Sequence, residues 1–285
     1  MKKIKIIEST DKPYPKRLLE INNNPKQLYI MGNQELLNKD SIAIVGSREC
    51  TPYGVKIAQE FAKQIAKKDI CIVSGMAIGI DTAAHEGALK EKGKTIAVLG
   101  AGFNNIYPPE NIELFNKIID NGGLIVTEYP PKTKVDLSKF PYRNRIISGL
   151  SLGTLVVEAK YRSGSTVTAR YAKEQGRKIF SIPSNIDLKT GVGTNRLIQE
   201  GAKLVTCVQD ILEEFNIYEQ KEELKEIVVE KEFLEIYNSI SYMPININNI
   251  AKKSNLSISQ VTQKLLIMEI KGYIKAMPGN EYVRL

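Results

Sequence analysis

A short motif near the middle of the chain could bind nucleic acid: Phe140-Pro141-Tyr142-Arg143-Asn144-Arg145, preceded by Lys139. An arginine guanidinium binds phosphate, and an aromatic ring stacks on an unpaired base, which contributes about 1–3 kcal/mol per base. The motif therefore predicts contact with a single strand. An alternative stays open, in which Phe140 and Tyr142 are core residues and Arg145 pairs with Glu158.

Two glycine-containing loops follow successive apolar runs. The first run ends in Val45-Gly46-Ser47-Arg48, and the second in Val73-Ser74-Gly75-Met76-Ala77-Ile78-Gly79-Ile80-Asp81. Backbone N–H groups and helix N-termini attract anions where parallel strands end, so the loops fit a phosphate cradle with Arg48 beside it. Glycine also serves such turns for backbone geometry alone. Residues 46–54 lack the Gly-x-Gly-x-x-Gly spacing of a dinucleotide site.

A third segment, residues 158–166, follows an apolar run and opens a helix. It carries two cations, Lys160 and Arg162, directly before Ser163 and Gly164. A helix N-terminus beside cations favours an anionic ligand. The segment therefore joins the two glycine loops as a candidate phosphate-binding element.

An acid–base pair is the competing interpretation of one of these loops. Asp81 and His85 stand four residues apart at a helix start and could share a face. The simpler interpretation is that Asp81 caps the helix and His85 packs in the structure. His85 is the only histidine, so no serine or cysteine nucleophile has an evident histidine partner.

The elements that must position these residues alternate regularly. Short β-branched runs separated by helices indicate βαβ units with both sheet faces covered, and such units build an α/β, doubly wound, mostly parallel sheet. The predicted strands are residues 41–46, 70–73, 95–99, 124–126, 154–157, 178–182 and 203–205. The predicted helices are residues 55–68, 82–90, 110–120, 143–150, 166–175 and 195–200.

The chain changes character after this unit. We predict a first domain at residues 1–218, a charged linker at 219–231 and a small domain at 232–285. The small domain shows a helix–turn–helix pattern and then a hairpin across Pro278-Gly279-Asn280, which predicts a winged-helix shape. Its second helix carries Lys264 as its one cation, so we interpret the domain as a protein-contact or accessory module and not as a duplex reader.

The net charge of +8 comes from one segment. Residues 130–203 hold 14 Lys and Arg against 5 Asp and Glu, a net charge of +9. A solvated basic face is one interpretation, but concentration in a single stretch favours a polyanionic partner.

Other classes of protein are disfavoured. No apolar run approaches the roughly 20 residues that cross a bilayer, and the N-terminus lacks the apolar region of a signal peptide. Cys50, Cys71 and Cys207 are far apart and accompany a single histidine, so we expect neither a metal site nor a cofactor. We therefore expect a cytoplasmic protein without a membrane partner.

Taken together, the motifs resemble those of the bacterial DNA-processing protein A family (DprA, also called Smf). The similarity covers roughly residues 14–215, and residues 232–285 resemble the winged-helix module of that family. The matching stretches are Ala43 to Arg48, Ser74 to His85, Gly100-Ala101-Gly102 with Tyr107-Pro108, Phe140 to Arg145, Ser163-Gly164-Ser165, and Asn195 to Ala202.

The resemblance implies a non-catalytic, extended Rossmann-like protein that forms a homodimer and binds single-stranded DNA. It also implies a role in natural transformation, in which the protein protects incoming strands and loads the RecA recombinase. The strand contacts expected are Arg48, Lys139, Phe140, Arg143, Asn144, Arg145, Lys160 and Arg162. The residues expected to shape the pocket are Gly46, Ser47, Ser74, Gly75, Gly79, Asp81, Ser163 and Gly164.

One enzyme remains as the alternative. Nucleotide hydrolases of the lysine-decarboxylase-like (LOG) group share this type of fold, and they carry a Pro-Gly-Gly-x-Gly-Thr-x-x-Glu signature. The corresponding stretch here reads Tyr161-Arg162-Ser163-Gly164-Ser165-Thr166-Val167-Thr168, which disfavours the hydrolase.

Overall fold

The computed structural model describes residues 3–91, 94–217, 229–241 and 244–284. These residues fall into two compact units, one within Met1–Ile217 and the other within Tyr218–Leu285. Among the residues described, no helix is both long and apolar enough to cross a membrane.

In its described part, the first unit is built on one nine-stranded sheet. The strands are β1 (Lys5–Glu8), β2 (Gln27–Gly32), β3 (Ser41–Val45), β4 (Cys71–Ser74), β5 (Thr95–Val98), β6 (Leu124–Thr127), β7 (Gly153–Val156), β8 (Lys178–Ser181) and β9 (Lys203–Leu204). The helices are α1 (Lys16–Leu19), α2 (Pro52–Lys67), α3 (Ile80–Leu89), α4 (Ile112–Asp120), α5 (Lys139–Leu150), α6 (Gly164–Glu174), α7 (Val192–Gln199) and α8 (Gln209–Glu214). Short 3-10 helices span Gln34–Asn38 and Pro109–Asn111.

The strand order confirms the predicted doubly wound sheet. The order is β1-β2-β6-β5-β4-β3-β7-β8-β9, and each neighbouring pair from β6 to β9 is parallel. The chain moves outward from β3 to β6 and then returns to place β7 on the other side of β3. Ligands of such sheets bind beyond the strand ends where the order reverses, so a ligand site is expected at the β3–β7 junction.

Strands β1 and β2 were not among the predicted elements. They pair antiparallel with each other and attach to β6 at one edge of the sheet. In β1 only Ile7 is buried. A four-residue strand with one buried position carries too little periodicity to be recognised in the sequence.

The central strands explain why the sheet is covered on both faces. Ile42 and Ile44 point to the face covered by α2 and α3, whereas Ala43 and Val45 point to the face where α5 packs. Successive strand residues face opposite sides, so an unbroken apolar run predicts a strand buried on both.

Helix α5 begins at Lys139, earlier than the predicted start at residue 143. Pro141 misled the sequence interpretation, because proline usually ends a helix. In the first helical turn, however, its missing N–H leaves no hydrogen bond unmade. The predicted aromatic and basic motif therefore lies on the first turns of the helix.

The described part of the second unit has helices α9 (Leu234–Ser239), α10 (Ile247–Ser254) and α11 (Ile258–Ile270), with a 3-10 helix at Lys231–Phe233. Strands β10 (Ile245–Asn246), β11 (Ile274–Met277) and β12 (Glu281–Arg284) form a sheet in the order β10-β12-β11. The predicted hairpin is confirmed by the antiparallel pairing of β11 with β12. Of the predicted linker, residues 219–228 lie outside the described residues, and Val229 is buried in the core of this unit.

Candidate nucleic-acid interface

The loops that follow β3 and β4 touch each other. The backbone N–H of Ile80 donates to the carbonyl of Ser47 at 3.2 Å. Gly79 has φ +85°, and a Cβ there would lie 2.5 Å from the same carbonyl oxygen. A side chain at Gly79 would therefore be strained and would push the two loops apart. At Gly46, a Cβ would lie 2.6 Å from the side chain of Ile80.

Arg143 forms the floor beneath these loops. Its guanidinium donates to the carbonyl oxygens of Gly75, at 2.9 Å, and of Val98, and the side chain is buried. These contacts join the carboxyl ends of β4 and β5. Burial lowers the pKa of Arg143 to about 10, so the group remains a cation at neutral pH. A Cβ on Gly75 would lie 2.6 Å from the Arg143 guanidinium and 2.7 Å from the Asp81 carboxylate.

Asp81 is held on the opposite side of Gly75. Its carboxylate accepts the backbone N–H groups of Gly75 at 3.1 Å and of Ala77 at 3.4 Å. Burial raises the pKa of Asp81, and the nearby Arg143 opposes that shift. Asp81 therefore fixes the loop before α3. It is not the helix cap that was predicted, because Gly79 holds the N-cap position and Asp81 lies within the first turn of α3.

His85 is completely buried, and it does not meet the requirements of a general base. Its Nδ1 lies 2.7 Å from the hydroxyl of Thr95, which in turn donates to the carbonyl of Ile72 at 2.9 Å. Burial lowers the pKa of His85 to about 3. The imidazole therefore packs as a neutral structural group, as the simpler interpretation of the sequence predicted.

Asn144 connects α5 to the start of α6. It accepts from Arg143 Nε at 3.2 Å and donates to the carbonyl of Gly164 at 3.1 Å. The hydroxyls of Ser163 and Ser165 lie 2.8 Å apart at the same helix start. No neighbouring heavy atom lies within 4 Å of a Cβ built on Gly164, so the backbone there is open to a ligand. The partial positive charge of the α6 N-terminus is thus presented to this space.

These elements enclose one pocket of about 390 Å³ beside the junction of β3 and β7. Its volume is in the range of small-ligand sites. The predicted site residues that line it are Gly46, Ser47, Arg48, Asp81, Phe140, Arg143, Asn144, Lys160, Ser163 and Gly164. We call this space the switch-point pocket.

Two exposed cations stand at the switch-point pocket. Arg48 is exposed, and its guanidinium carbon lies 5.8 Å from the centre of the Phe140 ring. Lys160 is also exposed and pairs with Glu49 at 2.5 Å. Hydrogen bonding to Lys160 lowers the pKa of Glu49. An exposed ion pair contributes little to stability, so Lys160 can exchange Glu49 for a phosphate.

Five other predicted residues do not line this pocket. Gly75 and Gly79 act from behind it, as described above. The hydroxyl of Ser74 donates to the carbonyl of Ile44 at 2.7 Å. Lys139 lies 4.0 Å from Asp136 and faces the ring of Tyr129. Arg162 lines a separate cavity of about 980 Å³ between α6, α7 and β8.

Arg145 is the sixth predicted site residue that does not line the switch-point pocket. It is 3% exposed, and its guanidinium pairs with Glu128 at 2.6 Å. The alternative pairing with Glu158 was wrong. Glu158 instead accepts from the backbone N–H of Thr51 at 3.0 Å and from its hydroxyl at 2.5 Å, and so secures the start of α2.

The sequence interpretation did not single out Tyr107 as a site residue. Its ring is stacked on Phe140, with 5.4 Å between ring centres and an interplanar angle of 27°. Tyr107 lies in the loop between β5 and the 3-10 helix at Pro109–Asn111, far from residue 140 along the chain. Only its presence in the Tyr107-Pro108 motif could have drawn attention to it.

Within the described ranges, no group of three or more His, Cys, Asp and Glu side chains is placed to hold a metal ion. Two carboxylates also line the switch-point pocket, and each already has a partner: Glu49 pairs with Lys160, and Asp81 accepts the N–H of Gly75. The exposed cations and the N-terminus of α6 suit an anionic ligand.

Comparison with known families identifies both units. The model of DNA recombination-mediator protein A matches residues 5–216, and that of the DprA winged helix domain matches residues 223–280. The chain is 37% identical to Protein Smf of Escherichia coli over 289 residues, which cover 98% of this chain and 77% of the relative. It is 46% identical to DNA processing protein DprA of Streptococcus pneumoniae over 205 residues, covering 72% of each chain.

Two solved structures share the fold of about three quarters of this chain. The X-ray structure of DNA processing protein A from Streptococcus pneumoniae aligns with a TM-score of 0.70 at 45% identity and covers 74% of each chain. A structure of DNA processing protein A from Helicobacter pylori aligns with a TM-score of 0.68 at 31% identity and covers 76% of this chain and 98% of that one. The Helicobacter structure concerns a single-stranded DNA binding mode.

Proposed function

This chain belongs to the DprA/Smf family of DNA-processing proteins, and from that membership we propose that it binds single-stranded DNA in the switch-point pocket. The observation that carries the proposal is the position of Arg48. Its exposed guanidinium stands at a pocket that also contains the open N-terminus of α6. A cation beside a helix N-terminus is a binding site for phosphate.

The binding mechanism follows from the chemistry of the lining. Arg48 and Lys160 neutralise phosphates, and the backbone at Gly164 donates hydrogen bonds to a phosphate oxygen. Arg143 contributes positive potential from below, where its Nε donates to Asn144 and its Nη1 to Gly75 and Val98. These groups contact the backbone of the strand and not base edges, so binding tolerates any sequence.

The wider role we propose is that of a recombination mediator that protects incoming strands and loads RecA during natural transformation. The match to the model of DNA recombination-mediator protein A supports this role, as do the relatives named DNA processing protein in Bacillus subtilis and Streptococcus pneumoniae. The protein would act in the cytoplasm, where RecA and an incoming strand meet. A homodimer would offer two pockets to one strand.

We also propose that the protein acts without catalysis. His85 is buried and hydrogen-bonded to Thr95, away from the pocket lining. Ser74, the serine next to the second glycine loop, donates its hydroxyl proton to a backbone carbonyl. Neither group is placed to activate a nucleophile or to move a proton for a ligand in the pocket.

Fluorescence anisotropy tests the binding proposal directly. A labelled oligo-dT and a duplex of the same length are titrated with the protein, and nucleoside monophosphates are incubated with it in parallel. We expect a marked preference for the single strand and no turnover of nucleotides. Absent or equal binding of the two DNAs, together with nucleotide turnover, would favour the LOG-type hydrolase instead.

A further inference from the structure

Phe140 is enclosed by its neighbours. The residue is 8% exposed, and the ring of Tyr107 covers one of its faces. Gly100 lies against the ring, since a Cβ there would be 2.5 Å from Phe140 Cδ1. Arg48 approaches from outside, with its guanidinium carbon 5.8 Å from the ring centre. Little of the Phe140 ring is left for a base to cover.

The second aromatic side chain of the motif is also occupied. The guanidinium carbon of Arg145 lies 3.8 Å from the centre of the Tyr142 ring, so one face of that ring carries a fixed cation. Arg145 is held in that position by its ion pair with Glu128. Tyr142 does not line the switch-point pocket. The motif therefore does not itself offer a free ring at the pocket.

Tyr107 differs from Phe140 in its exposure, and it differs from Tyr142, which is 43% exposed, in lining a cavity at the site. It is 38% exposed and lines a small cavity of about 50 Å³ that also has Arg48, Ile78 and Phe140 in its walls. One face of its ring lies on Phe140, so its exposed surface is on the side away from that support. Ile78, which is 44% exposed, adds an apolar edge beside it.

The segment that carries Tyr107 is fastened to the glycine loop after β4. Asn111 donates its side-chain amide to the carbonyl of Met76 at 2.8 Å and to the hydroxyl of Thr82 at 2.9 Å. Asn111 is buried. Phe140 thus supports one face of the Tyr107 ring, and Asn111 fixes the backbone segment that carries it. Few additional groups therefore need to become ordered when a base stacks on the ring. Such preorganisation favours binding.

We propose that Tyr107 is the residue on which an unpaired DNA base stacks, and that Phe140 is the positioning residue that supports its ring. The proposal rests on the proposed function, and it assigns different tasks to the two rings. Arg48, in the wall of the same small cavity, then binds the phosphate beside the stacked base. Every base has a flat π face, so this contact keeps the binding tolerant of sequence.

Abasic DNA separates stacking from a purely structural role. Wild type, Tyr107→Ala and Tyr107→Phe are titrated with oligo-dT and with a strand of the same length that lacks its bases. We expect Tyr107→Ala to weaken oligo-dT binding about 5- to 150-fold, the range that corresponds to one stacked base. Tyr107→Phe keeps the ring and should bind as wild type does. On the abasic strand all three proteins should bind equally.

A matched control is available in the same unit. Tyr53 is 59% exposed, lies on α2 and lines neither cavity at the site. Tyr53→Ala removes an exposed ring of the same kind and should leave both affinities unchanged. If Tyr107→Ala loses affinity equally for oligo-dT and abasic DNA, the ring only maintains the pocket and the proposal is overturned.

The absence of tryptophan from the chain gives a second readout. Tyr107→Trp introduces a single tryptophan at the proposed stacking position. Its fluorescence should be quenched by oligo-dT and not by abasic DNA, because quenching requires contact with a base. Equal fluorescence in both titrations, in a protein that binds oligo-dT, overturns the stacking proposal alone. If wild type itself fails to bind oligo-dT, the proposed function fails as well.

Discussion

The guanidinium of Arg145 and the carboxylate of Glu128 face each other in a fork, with Nη1 2.7 Å from Oε1 and Nη2 2.6 Å from Oε2. The third nitrogen, Nε, donates to the carbonyl of Asn23 at 3.1 Å, and Nη1 also donates to the carbonyl of Tyr142 at 3.2 Å. Glu128 follows strand β6, so this pair attaches α5 to the sheet. Hydrogen bonding to Glu128 raises the pKa of Arg145 against the effect of burial. All of these observations give Arg145 a structural task.

We therefore predict that Arg145→Ala destabilises the fold. It removes the ion-pair partner of the Glu128 carboxylate, which is only 12% exposed, and breaking a fully buried pair costs about 3–5 kcal/mol, an upper bound for this one. Urea denaturation monitored by circular dichroism measures the loss in the free energy of unfolding. The double variant Arg145→Ala/Glu128→Ala should recover part of it, because no lone charge remains. A variant as stable as wild type that loses only DNA affinity would instead place Arg145 in contact with the strand.

Arg48→Ala should weaken DNA binding and leave the stability of the fold nearly unchanged, the opposite of what we expect for Arg145→Ala. Arg48 is exposed, so its removal should change the free energy of unfolding by no more than about 0.5 kcal/mol. The affinity for oligo-dT should fall about 10- to 100-fold, as expected for loss of a charged hydrogen bond. Anisotropy and denaturation of the same preparation provide both numbers.

The control for Arg48 is Arg170→Ala. Arg170 belongs to the same basic segment and is 65% exposed at its side chain, but it lines the larger cavity beside α6. Arg170→Ala changes the net charge by the same amount as Arg48→Ala, but it should reduce the affinity for oligo-dT much less. If the two variants lose equal affinity, binding depends on overall charge and not on the switch-point pocket.

Much of the fold could be predicted because parallel strands have a simple signature. Ile42 to Val45 are all buried, and a short apolar run bounded by glycine has few other structures available. The glycine loops could be placed together as well, since parallel strands such as β3 and β4 end at the same edge of a sheet. Ser47 and Gly79 do meet there.

The individual tasks of the arginines could not be predicted in this way. Arg143 and Arg145 stand two residues apart on α5, yet one lies under the pocket and the other pairs with Glu128. Helical residues two apart point in different directions, and their partners come from strands distant along the chain. Tyr107 was missed for the same reason, because its contact with Phe140 depends on the order of strands in the sheet.

Salt dependence tests whether Arg48 contacts a phosphate. For a single strand, the logarithm of affinity falls with the logarithm of salt concentration by about 0.7 for each phosphate neutralised. The slope of Arg48→Ala should therefore be shallower than that of wild type by about 0.7. A salt series of anisotropy titrations with oligo-dT measures both slopes. Parallel lines for the two proteins would show that Arg48 acts on binding without neutralising a phosphate.

His85 should make the fold less stable as the pH falls. Burial lowers its pKa from 6.5 to about 3, so between these values the unfolded chain takes up a proton that the folded protein does not. Stability is then lost on acidification, by about 1.4 kcal/mol per pH unit within this window. The raised pKa of Asp81 has the opposite sign, because protonation relieves the cost of burying its charge.

Comparison with His85→Gln isolates the histidine effect, because Asp81 is present in both proteins. Glutamine can still donate a hydrogen bond towards Thr95, but it does not titrate. Urea denaturation at a series of pH values below 6.5 should give a steeper loss of stability for wild type than for the variant. The two curves should run parallel above that value. If the free energy of unfolding depended on pH in the same way for both proteins throughout, His85 would be taking up a proton in the folded protein. Its pKa would then not be lowered by burial, and the prediction would be wrong.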